Sequence, residues 1–579
     1  MRAFGPMKLP LSIAAAFAAA IFLTQSARSI VPDHGDYWSD MLLLKAAGNL
    51  DRFGFLALRF GVTFDSAPEF GGAPLCYTHW PAFPTLALAT MLRLGVGVVA
   101  ARLFPLCLAS SALVALWLMA RRITGSRGLA TVAALALAAA APYRLLSDTF
   151  CYQSYDFAAK AWTLWAVTAA ALGAGSRARA LVGAAAGGAA TLALCGYEMA
   201  AATGLYALLF PLLVAPRGGR LRSLAIPAAV GAGFLAGAAL HLSHAAWILG
   251  GYGVVLADLR TAYLSRSGGY PGTASAYLQM LYERMVGYYP FHAAVGAVGL
   301  VLLGLRGYLG TLPGRLSSAV GSLAVAEAFW FALMREHTNV HPHTADHMAF
   351  TWALGIMATA AAVDRLTGGR RPARVVLGAV GVVLFGAAWS DEWTGSAGNL
   401  AIKEEWRSYR MEVEDLAGRI PEDGVVLIPN ADPPLEHFLR RRTVILRPDL
   451  GRARFDGRRR FALVAPRNRF DLWQHSLERF ELLHRMEPLW GDWCYDLFDV
   501  DGVPGARNAV AWRSRPRQAG ARCSDKSRRG RGGYRPVRFR SRSRHADVAR
   551  EMVEAVAVRG ERPPGSPATR LPGAAAGPA

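Results

Sequence analysis

Long apolar blocks separated by short basic loops dominate the first two thirds of the chain. Each block holds roughly 16 to 28 residues, mainly Ala, Leu, Val and Gly, and about 20 apolar residues in a helix cross the hydrocarbon layer of a bilayer. The pattern predicts an α-helical multi-pass membrane protein. Eleven spans are expected, at residues 9–24, 103–120, 128–146, 157–174, 180–196, 198–215, 223–250, 288–305, 316–334, 347–363 and 375–390.

The first apolar block also has the character of a secretory signal, because Arg2 and Lys8 precede it. Cleavage of a signal is one interpretation, and a retained signal anchor is favoured because many further spans follow. The composition agrees with a membrane protein, since 53% of the residues are hydrophobic and only 18% are charged. It excludes a disordered chain, a collagen-like fibre and a small disulfide-stapled fold.

The apolar stretch 82–100 decides the sidedness of every later span. If it does not cross the membrane, the Lys/Arg clusters from RRITGSR at 121 onward share the face of the N-terminus, as the positive-inside rule requires. We therefore predict a juxtamembrane helix at 82–100, in or near the outer interface, within a large outer loop over 32–102. The N-terminus is then cytoplasmic, and the protein is expected in the inner membrane of the cell envelope.

The chain changes character after residue 390, where the predicted membrane domain 1–390 ends. A charged helical stretch is followed by short apolar runs, GVVLI at 424, RTVIL at 442, FALVA at 461 and YDLFDV at 495. This alternation predicts a small extracytoplasmic α/β domain over 391–512. Its role is expected to be acceptor docking or structural support.

Residues 513–579 form a basic tail with 17 Lys/Arg against 5 Asp/Glu, within a chain whose net charge is +22. Ser, Gly and Pro are frequent there and no apolar periodicity is present, so the tail is expected to be disordered. The pattern does not require a nucleic-acid partner, and none is expected. The six cysteines of the chain form no CxxC pair and indicate no zinc ribbon.

Charge is costly at the centre of a bilayer, so chemistry is expected in the outer loops and at helix ends. The segment VPDHGDYWSD at 31–40 offers Asp33 and Asp36 directly after the first span. Either carboxylate is a candidate general base, and a cap for the following helix is the alternative. In SDTFCYQSYDFAAK at 147–160, Asp156 is a candidate catalytic acid and Lys160 a candidate phosphate partner. Their spacing of four residues leaves a simple ion pair as the alternative.

Two further segments are rich in groups that bind metal or phosphate. For REHTNVHPHTADH at 335–347 a divalent-metal site, a contact to acceptor or pyrophosphate, and a solvated interface loop all stay open. The candidate metal ligands there are His337, His341, His343, Asp346 and His347. In the outer loop 251–288 the guanidinium groups of three arginines suit phosphate, among tyrosines that suit a sugar or the bilayer interface. These arginines are Arg260, Arg266 and Arg284.

Several motifs occur together in the first 175 residues. Asp33-His34-Gly35-Asp36-Tyr37 is similar to an Asp-Glu-x-x-Tyr motif, with His34 in place of Glu, and YTHWPAF at 77–83 is similar to a Tyr-x-x-x-Pro segment. A span then ends in ARRITG at 120–125, and Asp156 opens the fourth span. This layout resembles the GT-C superfamily of integral-membrane glycosyltransferases, particularly its protein O-mannosyltransferase and lipid A aminoarabinose transferase branch.

The resemblance implies transfer of a hexosyl or pentosyl group from a polyprenyl-phosphate donor to a glycan, lipid or protein on the outer face, with inversion. It makes Asp33 the expected base and Asp36 the second candidate, and it points to Tyr77 and His79 as substrate contacts. No nucleotide-binding glycine loop occurs beside a predicted strand, as a lipid-linked donor permits. No cofactor follows from the pattern, and a divalent metal stays open. The alternatives are a transporter or flippase of a lipid-linked or amphipathic solute, and a non-catalytic membrane assembly protein.

Overall fold

Helices account for most of the residues that this computed structural model describes. It describes residues 7–26, 37–64, 76–173, 176–195, 198–267, 273–305, 314–340, 342–368 and 386, and, nearer the C-terminus, 413–428, 435–436, 439–445, 460–464, 490–491 and 496–499. The first helices are α1 (Lys8–Ile21), α2 (Tyr37–Phe53), α3 (Phe83–Arg93), α4 (Val98–Ala101), α5 (Leu103–Thr124), α6 (Arg127–Ala139), α7 (Ala141–Leu146), α8 (Tyr152–Ala171) and α9 (Arg177–Ala190). They are followed by α10 (Glu198–Val214), α11 (Arg220–Ser223), α12 (Ala225–Leu249), α13 (Tyr252–Ser267), α14 (Ala274–Tyr288), α15 (Pro290–Gly304), α16 (Gly314–Leu333), α17 (Arg335–Val340) and α18 (Ala349–Leu366).

Helices occupy ten of the eleven predicted spans, and the eleventh, 375–390, lies almost entirely outside the described residues. Four helices in the described parts are long and apolar enough to cross a membrane, and a fifth span results if the bent pair Ala274–Val286 and Phe291–Leu303 is counted as one. The predicted span 128–146 is divided, because the chain turns at Ala140 and Pro142 lies in the first turn of α7. The fold class is confirmed, while the number of spans stays a prediction.

The predicted juxtamembrane stretch 82–100 is two short helices rather than one. A turn follows α3, and Gly95 in that turn has a φ of +78°, a conformation that glycine adopts without a steric penalty. Neither α3 nor α4 is long enough to cross a bilayer alone, so the break agrees with the prediction that this stretch does not span.

Helix α8 lies at the centre of the bundle and packs against α5, α9 and α10. Most of its residues are buried, including polar ones, whereas α12 exposes many of its apolar side chains. An exposed apolar face is what lipid contact requires of a membrane helix, and a buried polar helix must find its partners inside the protein. Helix α8 is therefore the element around which a polar site can be assembled.

Close helix packing elsewhere depends on glycine. A Cβ atom at Gly233 of α12 would lie 2.0 Å from the Ala185 carbonyl oxygen of α9, and one at Gly237 would lie 2.5 Å from the Ala189 carbonyl oxygen. Backbones of membrane helices approach this closely only where side chains are very small. The Gly-Ala composition of these blocks thus serves the packing of α9 against α12.

The strands of the C-terminal region follow the apolar runs that the sequence predicts. They are β3 (Val425–Ile428), β4 (Arg442–Ile445), β5 (Arg460–Val464), β6 (Trp490–Gly491) and β7 (Asp496–Asp499), after a short antiparallel pair, β1 (Val62–Thr63) and β2 (Cys76–Tyr77). Strand β3 pairs in parallel with β4 and with β5, in a register that places Val425 beside Arg442 and Arg460. Parallel pairing requires crossover connections, as in the predicted α/β arrangement.

The chain divides into two compact units. The first comprises Met1–Val464 with Leu497–Ala509, and it contains all the helices named above together with β1 to β5. The second comprises Ala465–Asp496 with Val510–Ala579, of which the structure describes Trp490–Gly491 and Asp496. The predicted basic tail lies outside the described residues. The predicted limits of the membrane and C-terminal domains remain predictions.

Candidate active site at the start of helix α8

Helix α8 begins immediately after a buried, extended turn. Cys151 is its N-cap with φ −70° and ψ 169°, and Tyr152 is its first helical residue. Asp156 and Lys160 follow on the same helix and are 1% and 0% exposed. A carboxylate and an ammonium group at such depth are stable only with partners, so the neighbours of this turn define the site.

Helix α2, which directly follows the segment with the candidate bases, contacts this turn. Asp33 and Asp36 lie outside the described residues, but helix α2 starts at Tyr37, and Asp40 lies in its first turn. The Asp40 Oδ1 atom accepts a hydrogen bond of 3.1 Å from the Cys151 backbone N–H group. A carboxylate at a helix start is favoured by the free N–H groups and the dipole there. Asp40 therefore joins the start of α2 to the start of α8.

The YTHWPAF segment reaches the same place through its aromatic rings. The Trp80 ring lies 5.0 Å from the Tyr152 ring, measured between centroids, and Tyr77 lies 4.7 Å from Trp80. One turn further along α8, Tyr155 packs edge-to-face against Phe83 at 5.9 Å. These separations are typical of attractive aromatic pairs. Tyr77 is thus placed in an aromatic cluster one ring removed from α8.

His79 connects this cluster to the outer-loop helix α13. Its Nε2 atom lies 2.9 Å from Asp258 Oδ2, and the Thr78 hydroxyl donates to the same oxygen at 3.3 Å. Arg260 is two residues further along α13 and is exposed. The structure thus joins His79 to the helix that carries Arg260, through a contact between residues 179 positions apart in the chain.

A buried ion pair beside the turn was missed at the level of sequence. Asp148 Oδ2 accepts a 2.7 Å hydrogen bond from the Ser26 hydroxyl and lies 3.5 Å from Arg102 Nη1, with both charged side chains fully buried. The Arg102 guanidinium also covers the Phe150 ring at 5.5 Å. In the sequence, this pair is indicated only by the position of Arg102 directly before the predicted span 103–120. These contacts attach the end of the first span to the turn before α8.

Lys160 contacts groups on other elements of the bundle. Its Nζ atom donates to the Glu327 carboxylate of α16 and, at 2.9 Å, to the His347 carbonyl oxygen. It also lies 5.1 Å from the centroid of the Phe350 ring. The ammonium therefore connects α8 to another helix, and the Asp156–Lys160 ion pair stays a prediction. Its prediction as a phosphate partner stays a prediction, on a side chain that is fully buried.

The histidine-rich segment is buried where the structure describes its side chains. His337, Asp346 and His347 are 4%, 3% and 2% exposed, which makes the solvated-loop interpretation wrong for these three. The His347 Nε2 atom lies 4.0 Å from Asp346 Oδ1, and its ring lies 5.0 Å from the Trp330 ring. No group of three or more potential metal ligands occurs among the described residues. His341 and the His343 side chain lie outside them.

The three arginines of the outer loop have different surroundings. Arg284 donates to the backbone carbonyl oxygens of Thr338 and Asn339, the latter at 2.6 Å, and so holds the end of α17. Arg260 is exposed, and the Arg266 side chain is not among those described. Arg284 therefore has a structural use that the sequence did not indicate, because its partners are main-chain groups 54 and 55 residues away.

The arrangement of helices around α8, with its long first loop docked at the start of that helix, defines a class of fold. Solved structures share this fold, and they agree with the resemblance that the sequence motifs indicate. No family model matches the sequence, and no curated protein does either.

Two solved structures of one protein show the likeness. The crystal structure of ArnT from Cupriavidus metallidurans bound to undecaprenyl phosphate superposes with a TM-score of 0.55 at 15% identity, covering 87% of this chain and 99% of that one. The apo state of the same protein gives a TM-score of 0.51 at 14% identity, covering 86% and 98%. At this identity the similarity establishes the fold.

Proposed function

We propose that the protein is a membrane glycosyltransferase that moves a hexosyl or pentosyl group from a polyprenyl-phosphate donor to an acceptor on the extracytoplasmic face. Asp33 is the proposed general base, Asp36 the second candidate, and Asp156 a further acidic group of the site. The observation that carries the proposal is that Asp40, in the first turn of α2, and Trp80 of the YTHWPAF segment both contact the start of α8, the helix that carries Asp156. The fold is shared with a structure bound to undecaprenyl phosphate.

The proposed reaction is a single displacement. The base takes the proton of the acceptor hydroxyl while its oxygen forms a bond to the anomeric carbon of the sugar. The bond from that carbon to the phosphate oxygen breaks, and the lipid phosphate leaves with the electron pair, so the configuration inverts. Positive charge near the leaving oxygen favours this step, and Arg260, which is exposed, and Arg266 are the proposed sources. The phosphate already activates the sugar, so positioning and charge supply much of the catalysis.

The proposed orientation has a cytoplasmic N-terminus, with the first loop and the C-terminal region on the outer face of the inner membrane. A contact between the two predicted outer regions supports it, because Lys45 Nζ of α2 lies 2.8 Å from Glu436 Oε1. The basic loops beginning at Arg121 and Arg177 are then cytoplasmic, in agreement with the positive-inside rule.

Transport is less well supported than transfer. A transporter is expected to keep charged groups available at mid-membrane. The acid in the middle of α16, Glu327, is instead engaged by Lys160 in a buried pair. We therefore place the chemistry in the outer segments around α8.

The test uses purified protein in liposomes with a panel of undecaprenyl-phosphate monosaccharides and a membrane extract as the source of acceptor. Release of free undecaprenyl phosphate is measured for the wild type and for Asp33→Asn, Asp36→Asn and Asp51→Asn. Asp51 is an exposed carboxylate on α2 and is the matched control. We expect one of the first two variants to lose roughly a hundredfold or more in rate, with Asp51→Asn unchanged. Equal release by all four proteins would reject both proposed bases.

A further inference from the structure

The helix that follows the candidate bases is attached to the protein at two points. Its first turn is held by Asp40 on the Cys151 N–H group, as described above. Two turns later Lys45 donates to the Phe64 carbonyl oxygen and to Glu436 Oε1, the latter at 2.8 Å. Glu436 comes from the C-terminal region, 391 residues further along the chain. The direction of α2, the helix that follows residues 31–36 in the chain, therefore depends on a residue far from the membrane domain in sequence.

Glu436 is buried at this contact, and both of its carboxylate oxygens accept hydrogen bonds. The side chains of Lys45 and Glu436 are only 8% and 1% exposed. The second oxygen of Glu436 accepts a 2.5 Å hydrogen bond from the Thr443 hydroxyl of β4. Thr443 pairs with Val426 in the parallel sheet, so the carboxylate is fixed to the sheet and not to a loose loop. Buried ion pairs with additional hydrogen bonds hold one geometry, and losing one partner leaves an uncompensated charge.

We propose that Glu436 is a positioning residue for the glycosyl transfer: through Lys45 it sets the orientation of α2, the helix that directly follows Asp33 and Asp36 in the chain. This inference rests on the proposed function. It gives the C-terminal sheet a defined part in the reaction, namely to hold α2 at a second point besides its contact with the start of α8. Since misplacing a catalytic group by about 1 Å can cost a hundredfold in rate, a hold of this kind is a determinant of turnover.

The experiment compares Glu436→Gln with Glu422→Gln, an exposed carboxylate just before β3 that serves as the matched control. Undecaprenyl phosphate release from the monosaccharide donor that the wild type uses best gives kcat and KM. Hydrogen exchange of the peptide 37–53 is measured on the same samples. We expect Glu436→Gln to lower kcat roughly tenfold to a hundredfold, to leave KM for the donor nearly unchanged, and to speed exchange in the first half of α2. Glu422→Gln is expected to match the wild type.

Two further variants separate positioning from general loss of structure. Lys45→Glu combined with Glu436→Lys restores an ion pair of reversed polarity, and we expect it to recover part of the lost kcat. Lys45→Met removes the ammonium and keeps the aliphatic stem, and it probes the same contact should Glu436→Gln fail to fold. Unchanged kcat in Lys45→Met or in folded Glu436→Gln overturns the proposal, whatever the exchange shows. If the wild type releases no undecaprenyl phosphate from any donor, the proposed function fails, and the exchange comparison alone then reports whether α2 is held by Glu436.

Discussion

The Lys160 ammonium of α8 contacts the Glu327 carboxylate of α16 in the interior of the bundle, where both side chains are fully buried. The two residues are 167 positions apart, and the ammonium also donates to the His347 carbonyl oxygen. One contact thus connects the helix that carries Asp156, the ninth predicted span and the histidine-rich segment. It also explains how two charges are kept at this depth without a route to water.

Removing one member of this pair is expected to be far more harmful than removing both. Glu327→Leu leaves a buried ammonium without its counter-charge and should destabilise the protein by about 3 kcal/mol or more. Lys160→Met combined with Glu327→Leu replaces the pair by apolar side chains of similar volume, and its stability should lie close to that of the wild type. Thermal unfolding in detergent, followed by tryptophan fluorescence, checks the order. A double variant as unstable as Glu327→Leu would contradict this account.

The attachment of α2 to α8 predicts a second stability difference. Asp40→Ala removes the acceptor of the Cys151 N–H hydrogen bond and leaves that buried donor unsatisfied, at a cost of about 2 kcal/mol. Asp51→Ala, at the exposed end of the same helix, should change stability by less than about 0.5 kcal/mol. Urea-dependent accessibility of Cys151 to a thiol reagent provides the measurement. The idea fails if both variants expose Cys151 at the same urea concentration.

Glycine packing between α9 and α12 supplies a prediction with an internal control. Gly233→Ala places a methyl group against the Ala185 carbonyl oxygen and should lower the melting temperature, by the equivalent of about 1 to 3 kcal/mol. Gly231→Ala, two residues away on the same helix, meets nothing within 4 Å. There the higher helix propensity of alanine should leave stability equal or slightly raised. Equal losses for both variants would show that α9 and α12 do not pack as described.

Sidedness is tested by thiol labelling in a background whose six native cysteines are replaced by serine. A cysteine introduced by Asp51→Cys should react with a membrane-impermeant maleimide on intact cells with a permeable outer layer. One introduced by Arg127→Cys, at the start of α6, should react only after the inner membrane is opened, because the basic loops face the cytoplasm. Labelling of Arg127→Cys from outside would reverse the proposed orientation.

Much of the architecture could be predicted because its causes are local. A run of apolar residues such as 103–120 forms a helix in a bilayer whatever its neighbours are, since each backbone group must bond within the segment. The strands at 425 and 442 also follow short apolar runs, because such runs are typical of buried strands. The motifs of the first 175 residues were sufficient to indicate the fold, which the likeness to ArnT confirms.

The sequence by itself therefore determined which segments are helices, which are strands and where acidic and aromatic groups collect. Only the tertiary structure decided which of those groups meet: Lys160 with Glu327, Asp40 with Cys151, and Lys45 with Glu436. The physical reason is the distance along the chain over which each effect acts. Apolar periodicity acts over one or two helical turns, whereas a buried ion pair forms between whichever charges the packing of helices and sheet brings together, and such partners here lie more than a hundred residues apart.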